Sequence, residues 1–234
     1  MSLPYFYEPD ISALQSHIII LSEETSKHCV QVLRMKPHER LQLTDGNGNL
    51  YTASIIKDDK RKCEVLIENK LSVPPIHRKI CIGISLLKNA NRFEWFLEKA
   101  TELGIQEIIP LICKRTERQH FRFDRMHNII VAAMLQSQQA WLPKLHEPVQ
   151  VEKVIAGSEY GQKLIAHCED TPKLSFKDFV VTDNVQMLIG PEGDFSHEEI
   201  EASLKNNYLQ ISLGDTRLRT ETAGIVAATL LRTY

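Results

Sequence analysis

At 234 residues, 43% hydrophobic and 25% charged, the chain has the length and apolar content of a globular protein with room for two modest domains. A net charge of -2 argues against bulk electrostatic attraction to nucleic acid but leaves a local basic patch open, and no apolar run approaches the roughly eighteen residues of a membrane span. Cys29, Cys63, Cys81, Cys113 and Cys168 form no C-x-x-C pair, and residues 1–10 lack the basic flank and apolar core of a secretory leader. Both features exclude a secreted disulfide framework and point to a reducing, cytoplasmic setting.

In chain order, residues 17–20, 41–44, 51–56 and 63–67 read as short strands, and 24–33 as the one helical stretch among them. Asp45-Gly46-Asn47-Gly48 is hairpin-turn chemistry between two of the strands. This pattern predicts a small antiparallel barrel over residues 1–72. Pro74 and Pro75 can continue neither a helix nor a central strand, so a second domain is expected over 73–234.

Beyond the prolines, strands and helices alternate. Residues 79–87 read as an apolar strand. Residues 91–103 read as a helix with Phe93, Phe96, Leu97, Ala100 and Leu103 on one face, stopped by Gly104. A strand over 105–113 and a helix over 122–139 follow, then strands over 163–168 and 185–189. Ser196 with Glu199 forms a capping box that opens the next helix, and 222–233 closes the chain as a helix rich in small residues. Alternation of this kind predicts an α/β domain on a parallel sheet.

Two hydrophobic strands end in glycine before charged loops: 187–189 at Gly190-Pro191-Glu192-Gly193, and 211–213 at Gly214. In an open parallel sheet, ligands sit beyond the carboxyl ends of the strands, so the two loops suggest one shared crevice. The first is equally explained as a tight strand-to-helix turn. The second carries Arg217, Arg219 and Glu221 close together, an expensive grouping for a purely structural turn. There is no G-x-G-x-x-G and no phosphate-binding G-x-x-x-x-G-K-[ST], and His197-Glu198 lacks the second histidine of a zinc motif, so no metal site is expected.

Leu188-Ile189-Gly190-Pro191-Glu192-Gly193, together with Leu213-Gly214 and Leu218-Arg219-Thr220-Glu221-Thr222-Ala223, resembles the paired signatures of the RsmE-type family. These ribosomal RNA methyltransferases modify N3 of a uridine in the small-subunit decoding centre. Residues 88–104, with Arg92, Glu94-Trp95 and Glu98 to Gly104, resemble the first helix of that family. His28, Val32-Leu33-Arg34 and Asp45-Gly46 resemble its N-terminal domain. The chain departs from the family pattern at Lys88-Asn89, where Lys-Gly is common, and at Leu135-Gln136-Ser137-Gln138-Gln139, where a Glu-Gln-Ser-Gly-Arg-like run is usual.

The resemblance implies a PUA-like β-barrel followed by a SPOUT methyltransferase domain with a C-terminal trefoil knot. It also implies a homodimer and S-adenosylmethionine held by Leu188, Ile189, Gly190, Glu192, Gly193, Leu213, Gly214, Leu218 and Thr222. The substrate it implies is small-subunit ribosomal RNA within assembled subunits. Small residues in the last helix (Ala223, Gly224, Ala227, Ala228) are expected to let a second copy approach closely.

A uridine N3 is a poor nucleophile until its proton leaves, so the reaction needs a base and donors for the charge that spreads onto the flanking carbonyl oxygens. Glu192 and Glu221 are the candidate bases, Arg217 and Arg219 the candidate donors; Glu221 is equally read as capping a helix or pairing with an arginine. Residues 114–125 hold five basic residues against two acidic ones, with Phe121 and Phe123 interleaved, a pattern that suits RNA or a solvated loop with its aromatics turned inward. The expected RNA contacts are Arg34, Lys36, Lys88, Arg92, Arg115 and Arg118. Two other readings stand beside this one: a SPOUT enzyme acting on transfer RNA or another ribosomal site, and an RNA-binding module without catalysis.

Overall fold

The computed structural model describes residues 3–13 and 16–234. Residues 1–2 and 14–15 lie outside the described residues. The chain forms two compact units: one runs to Pro75 and takes in Met134–Leu142, and the other comprises Ile76–Ala133 and Pro143–Tyr234. The break expected at 72/73 therefore lies three residues early, and the return of 134–142 to the first unit was not legible in the sequence.

The first unit is a five-stranded sheet of β1 (Tyr5–Tyr7), β2 (Ile18–Ile20), β3 (Arg40–Thr44), β4 (Asn49–Lys57) and β5 (Glu64–Ser72), in the order β1-β3-β4-β5-β2. Three ladders are antiparallel as expected, whereas β1 pairs with β3 in parallel. Alternation along the strands turns Leu41, Leu43, Ala53, Ile55 and Val65 into one fully buried core. In the β3–β4 turn Asp45 Oδ1 accepts the amide N–H groups of Asn47 (2.8 Å) and Asn49 (3.2 Å). Ala140 and Leu142 extend this turn by backbone bonds with Gly48 (2.9 Å) and Gly46 (2.8 Å), and Trp141 Nε1 donates to Val73 O (3.0 Å).

The helix expected over 24–33 is α1 (Glu23–Lys27), capped by Ser22, running into a π-helical turn over His28–Val32. Just after it, Arg34 stands at φ +57°, in the left-handed region. Gln138, at the position where the resembled Glu-Gln-Ser-Gly-Arg-like run has glycine, also adopts a left-handed φ of +54°.

The second unit is a parallel sheet of β6 (Lys79–Ser85), β7 (Glu107–Ile112), β8 (Lys144–Leu145), β9 (Val149–Gln150), β10 (Gln162–Ala166), β11 (Asn184–Ile189) and β12 (Leu209–Gln210). The order is β12-β10-β11-β6-β7-β8, with β9 also on β7. One face carries α4 (Val151–Gly157) and α5 (His197–Lys205), with Cys81, Leu111, Ile155, Ile165, Leu188, Phe195 and Ile200 in the shared core. Toward the other face α2 (Ala90–Glu102) packs on α6 (Thr220–Thr233), and α6 on β6 and β11. α3 (Phe123–Gln136) belongs to this unit up to Ala133, and its last residues, from Met134, are counted with the first.

Asn89, the departure before α2, supplies its cap: Oδ1 accepts the Asn91 N–H at 3.0 Å. The capping box of α5 forms as read, Ser196 N donating to Glu199 Oε2 at 2.6 Å and Glu199 N to Ser196 Oγ at 3.3 Å. The small residues of α6 are used inside the chain. Gly224, Ala227 and Ala228 are buried, and a Cβ on Gly224 would stand 2.6 Å from Phe96 Cε2 and 2.9 Å from Ile84 Cδ1. They therefore explain α6 against α2 and β6, and give no support to contact with a second copy.

Candidate active site

Three neighbouring parallel strands, β12, β10 and β11, deliver their carboxyl ends to one cleft of about 670 Å³. β10 contributes Ala166, His167 and Cys168. β11 contributes Ile189, Gly190, Pro191, Glu192 and Asp194. The chain after β12 contributes an unbroken wall from Ile211 to Thr220. The strand expected to run to Leu213 leaves the sheet at Gln210, so 211–219 lies along the cleft as loop.

Gly190 and Gly214 serve different ends. A Cβ on Gly190 would stand 3.0 Å from both the Phe195 amide nitrogen and Phe195 Cδ2, so glycine lets the β11 loop fold onto its own aromatic anchor. Gly214 holds φ +132° with no atom within 4 Å of where its Cβ would be, leaving backbone open to the cleft.

The β11 loop is braced twice. Arg115 Nη1 donates to Gly193 O (2.8 Å) and Phe195 O (3.2 Å). Asp194, at φ +65°, accepts the Cys168 N–H through Oδ2 at 2.7 Å and the Phe195 N–H through Oδ1 at 2.8 Å. In the β10 wall, His167 Nε2 lies 2.7 Å from Gln210 Oε1, and burial holds its imidazole below the usual histidine range.

Of the residues expected at the cofactor, Ile189, Gly190, Glu192, Leu213, Gly214 and Leu218 line the cleft. Leu188, Gly193 and Thr222 do not. Leu188 sits in the ladder between Ile165 and Gly83 and is buried in the core, and Gly193 lies against Arg115. Both expected arginines, Arg217 and Arg219, line it, and Arg219 is the N-cap residue of α6. The two carboxylates separate. Glu192 is in the cleft and accepts the Lys88 N–H at 3.2 Å. Glu221 is buried outside it, Oε1 lying 3.6 Å from Arg92 Nε and Oε2 without a hydrogen-bond partner among the described residues.

The expected RNA contacts divide as well. Lys88 pairs with Glu117 (2.7 Å), Arg92 with Glu221 and Lys36 with Asp58 (3.2 Å), while Arg115 is committed to the β11 loop. Arg34 and Arg118 are exposed. In the basic stretch, Arg125 forms a two-bond pair with Glu94 (2.6 and 2.9 Å) and Phe121 turns edge-on to Phe93 (6.1 Å between ring centres). His167, Cys168 and Lys173 were missed as cleft residues, because only the sheet order puts β10 between β11 and β12; Asp194, which closes the β11 loop, lines the cleft as well.

A family of RNA methyltransferase domains matches residues 74–232, and a family of RNA methyltransferase PUA domains matches 21–68. A probable rRNA-methyltransferase from Porphyromonas gingivalis is 37% identical, with a TM-score of 0.92 over 99% of this chain and 98% of that one. Ribosomal RNA small subunit methyltransferase E of Neisseria gonorrhoeae, solved bound to S-adenosyl methionine, is 26% identical with a TM-score of 0.88, again over 99% and 98%. The protein of the same name from Rickettsia conorii is 28% identical over 94% of this chain and 91% of its own length. With both domains matched and these relatives covered end to end, the chain belongs to the RNA methyltransferase family of the RsmE type, a PUA-like domain joined to a SPOUT-type methyltransferase domain.

Proposed function

We propose that this chain methylates N3 of a uridine in small-subunit ribosomal RNA with S-adenosylmethionine as donor. The observation that carries the reading is the cleft at the ends of β10, β11 and β12, where open backbone at Gly214 meets Arg217, Arg219 and Glu192. The cleft's volume of about 670 Å³ and its mixed wall of backbone and aliphatic groups fit the cofactor. Gly190, Leu213, Gly214 and Leu218 would hold it. When bound, it supplies an activated methyl group, so the protein has only to orient and deprotonate the uridine.

Glu192 is the better-placed base of the two carboxylates, because it lines the cleft while Glu221 is spent against Arg92. Arg219, at the mouth of α6, and Arg217 donate to the uracil oxygens as negative charge spreads onto them. The trefoil knot, the homodimer and action on assembled subunits in the cytoplasm belong to the same proposal and rest on membership of the family. Incubating the protein with methyl-labelled cofactor and unmodified small subunits tests the reaction. Label incorporated at a uridine N3 supports it; label at another atom, or on transfer RNA alone, moves the activity elsewhere.

A further inference from the structure

The first unit carries a basic feature that the cleft does not use. The β4–β5 connection, residues 57–62, reads Lys-Asp-Asp-Lys-Arg-Lys, four cations against two carboxylates in a chain whose net charge is -2. Both carboxylates are occupied locally. Asp59 Oδ1 folds back to accept the N–H groups of Arg61 (2.8 Å) and Lys62 (3.1 Å), which holds its carboxyl below the usual range. Asp58 pairs with Lys36 at 3.2 Å.

The base of the turn is fixed. Cys63 N donates to the buried Ser26 Oγ (3.0 Å), and Leu21 N donates to Cys63 O (2.9 Å). Lys60, Arg61 and Lys62 are all exposed, and among the described residues none of them has an ion-pair partner, whereas neighbouring Lys57 is held by Glu64 at 3.1 Å. Three unpaired cations therefore stand in sequence on a preorganised turn. The loop that carries Lys36 lies beside it, joined by His38 N to Ile55 O (2.8 Å) and Ile55 N to Glu39 O (3.0 Å). That loop holds Arg34 at φ +57°, just past the end of the π-helical turn, and His38 at φ +74°.

We propose that the β4–β5 turn, through Lys60, Arg61 and Lys62 and flanked by Lys36 and Arg34, is a phosphate-gripping surface for the substrate RNA. The partner is the RNA backbone, since three adjacent, exposed cations with no aromatic platform suit a line of phosphates without reading sequence. The inference rests on the methyltransferase reading for the identity of the RNA, but the contact itself is a binding property.

The test replaces Lys60, Arg61 and Lys62 together with alanine and, separately, exchanges them as Lys60→Arg, Arg61→Lys and Lys62→Arg. Binding of the full chain to naked small-subunit RNA is followed across salt concentrations. The alanine variant is expected to weaken binding about tenfold or more and to reduce the slope of log K against log salt by about 2, while the exchanged variant stays near wild type. Cofactor affinity and single-turnover rate at saturating RNA are expected to stay unchanged. An unchanged salt slope overturns the proposal. So does a loss confined to assembled subunits with naked RNA unaffected, which would assign the turn to a ribosomal protein. If the wild type binds RNA with this salt dependence yet methylates nothing, the surface stands and the catalytic reading fails.

Discussion

Arg219 is the N-cap residue of α6, its backbone still extended (φ -71°, ψ 154°) where the cleft wall meets the helix, and its side chain makes no capping hydrogen bond. A donor held there meets charge that exists only as the uridine gives up its proton, so its contribution falls on the transition state. Arg219→Ala is expected to slow single-turnover methyl transfer by about 10²–10³-fold with little change in cofactor affinity. A matched loss of cofactor affinity by calorimetry would instead make Arg219 part of the cofactor pocket. The carboxylates give a second contrast. Glu192→Gln should remove most activity as loss of a general base, about 10²–10⁴-fold. Glu221→Gln and Arg92→Ala should cost activity less and non-additively, because each breaks the same Arg92–Glu221 contact at 3.6 Å. Equal losses for the two glutamates would return Glu221 to the chemistry.

At the scale of elements, α6 is fixed by shape. Gly224 faces Phe96 and Ile84 so closely that a side chain has nowhere to go. Gly224→Val is expected to destabilise the second unit by about 1–3 kcal/mol or more through overpacking, read as a lower denaturation midpoint with the same slope. A second element-level device is Glu107, which opens β7. Tyr160 OH (2.5 Å) and His146 Nε2 (2.6 Å) bond its carboxylate, and Lys79 Nζ lies at 3.3 Å. Burial pushes that carboxyl up, yet these partners outweigh burial and hold it below its ordinary value. A lowered folded-state pKa means stability present above the unfolded value and lost as pH falls through the folded one. Glu107→Gln should therefore be less stable near neutrality, by about 1–3 kcal/mol, and show a flatter decline on acidification. An acid limb as steep as wild type would show that Glu107 does not set it.

What could be read from the residues follows from what local physics controls. The apolar face of α2, its stop at Gly104 and the Ser196–Glu199 box were legible because each is a short-range pattern. β1, β8 and β9 span two or three residues each, too short for a period to register, and α4 has only seven; the strand expected to end at Leu213 forms earlier, as β12. In the site, the two glycine loops were legible from composition. The β10 wall of His167, Cys168 and Lys173 was not, since it reaches the cleft only through strand order.

The whole molecule joins a binding unit to a catalytic one, and each has its own chemistry to lose. Burial pushes the thiols of Cys29, Cys81 and Cys113 up to about 12 and that of Cys63 to about 11, leaving four of the five cysteines unreactive. Light scattering decides the homodimer without appeal to α6, whose Gly224, Ala227 and Ala228 are buried within the chain: a mass twice 26.8 kDa supports it, and 26.8 kDa contradicts it. The central claim is the identity of the modified atom. The most direct measurement digests small-subunit RNA from cells with and without this gene and quantifies N3-methyluridine by mass spectrometry. The expected result is a single uridine that loses its N3-methyl group in the deletion strain, regains it with the wild-type gene and stays unmodified with Arg219→Ala. N3-methyluridine unchanged by deletion would contradict the account.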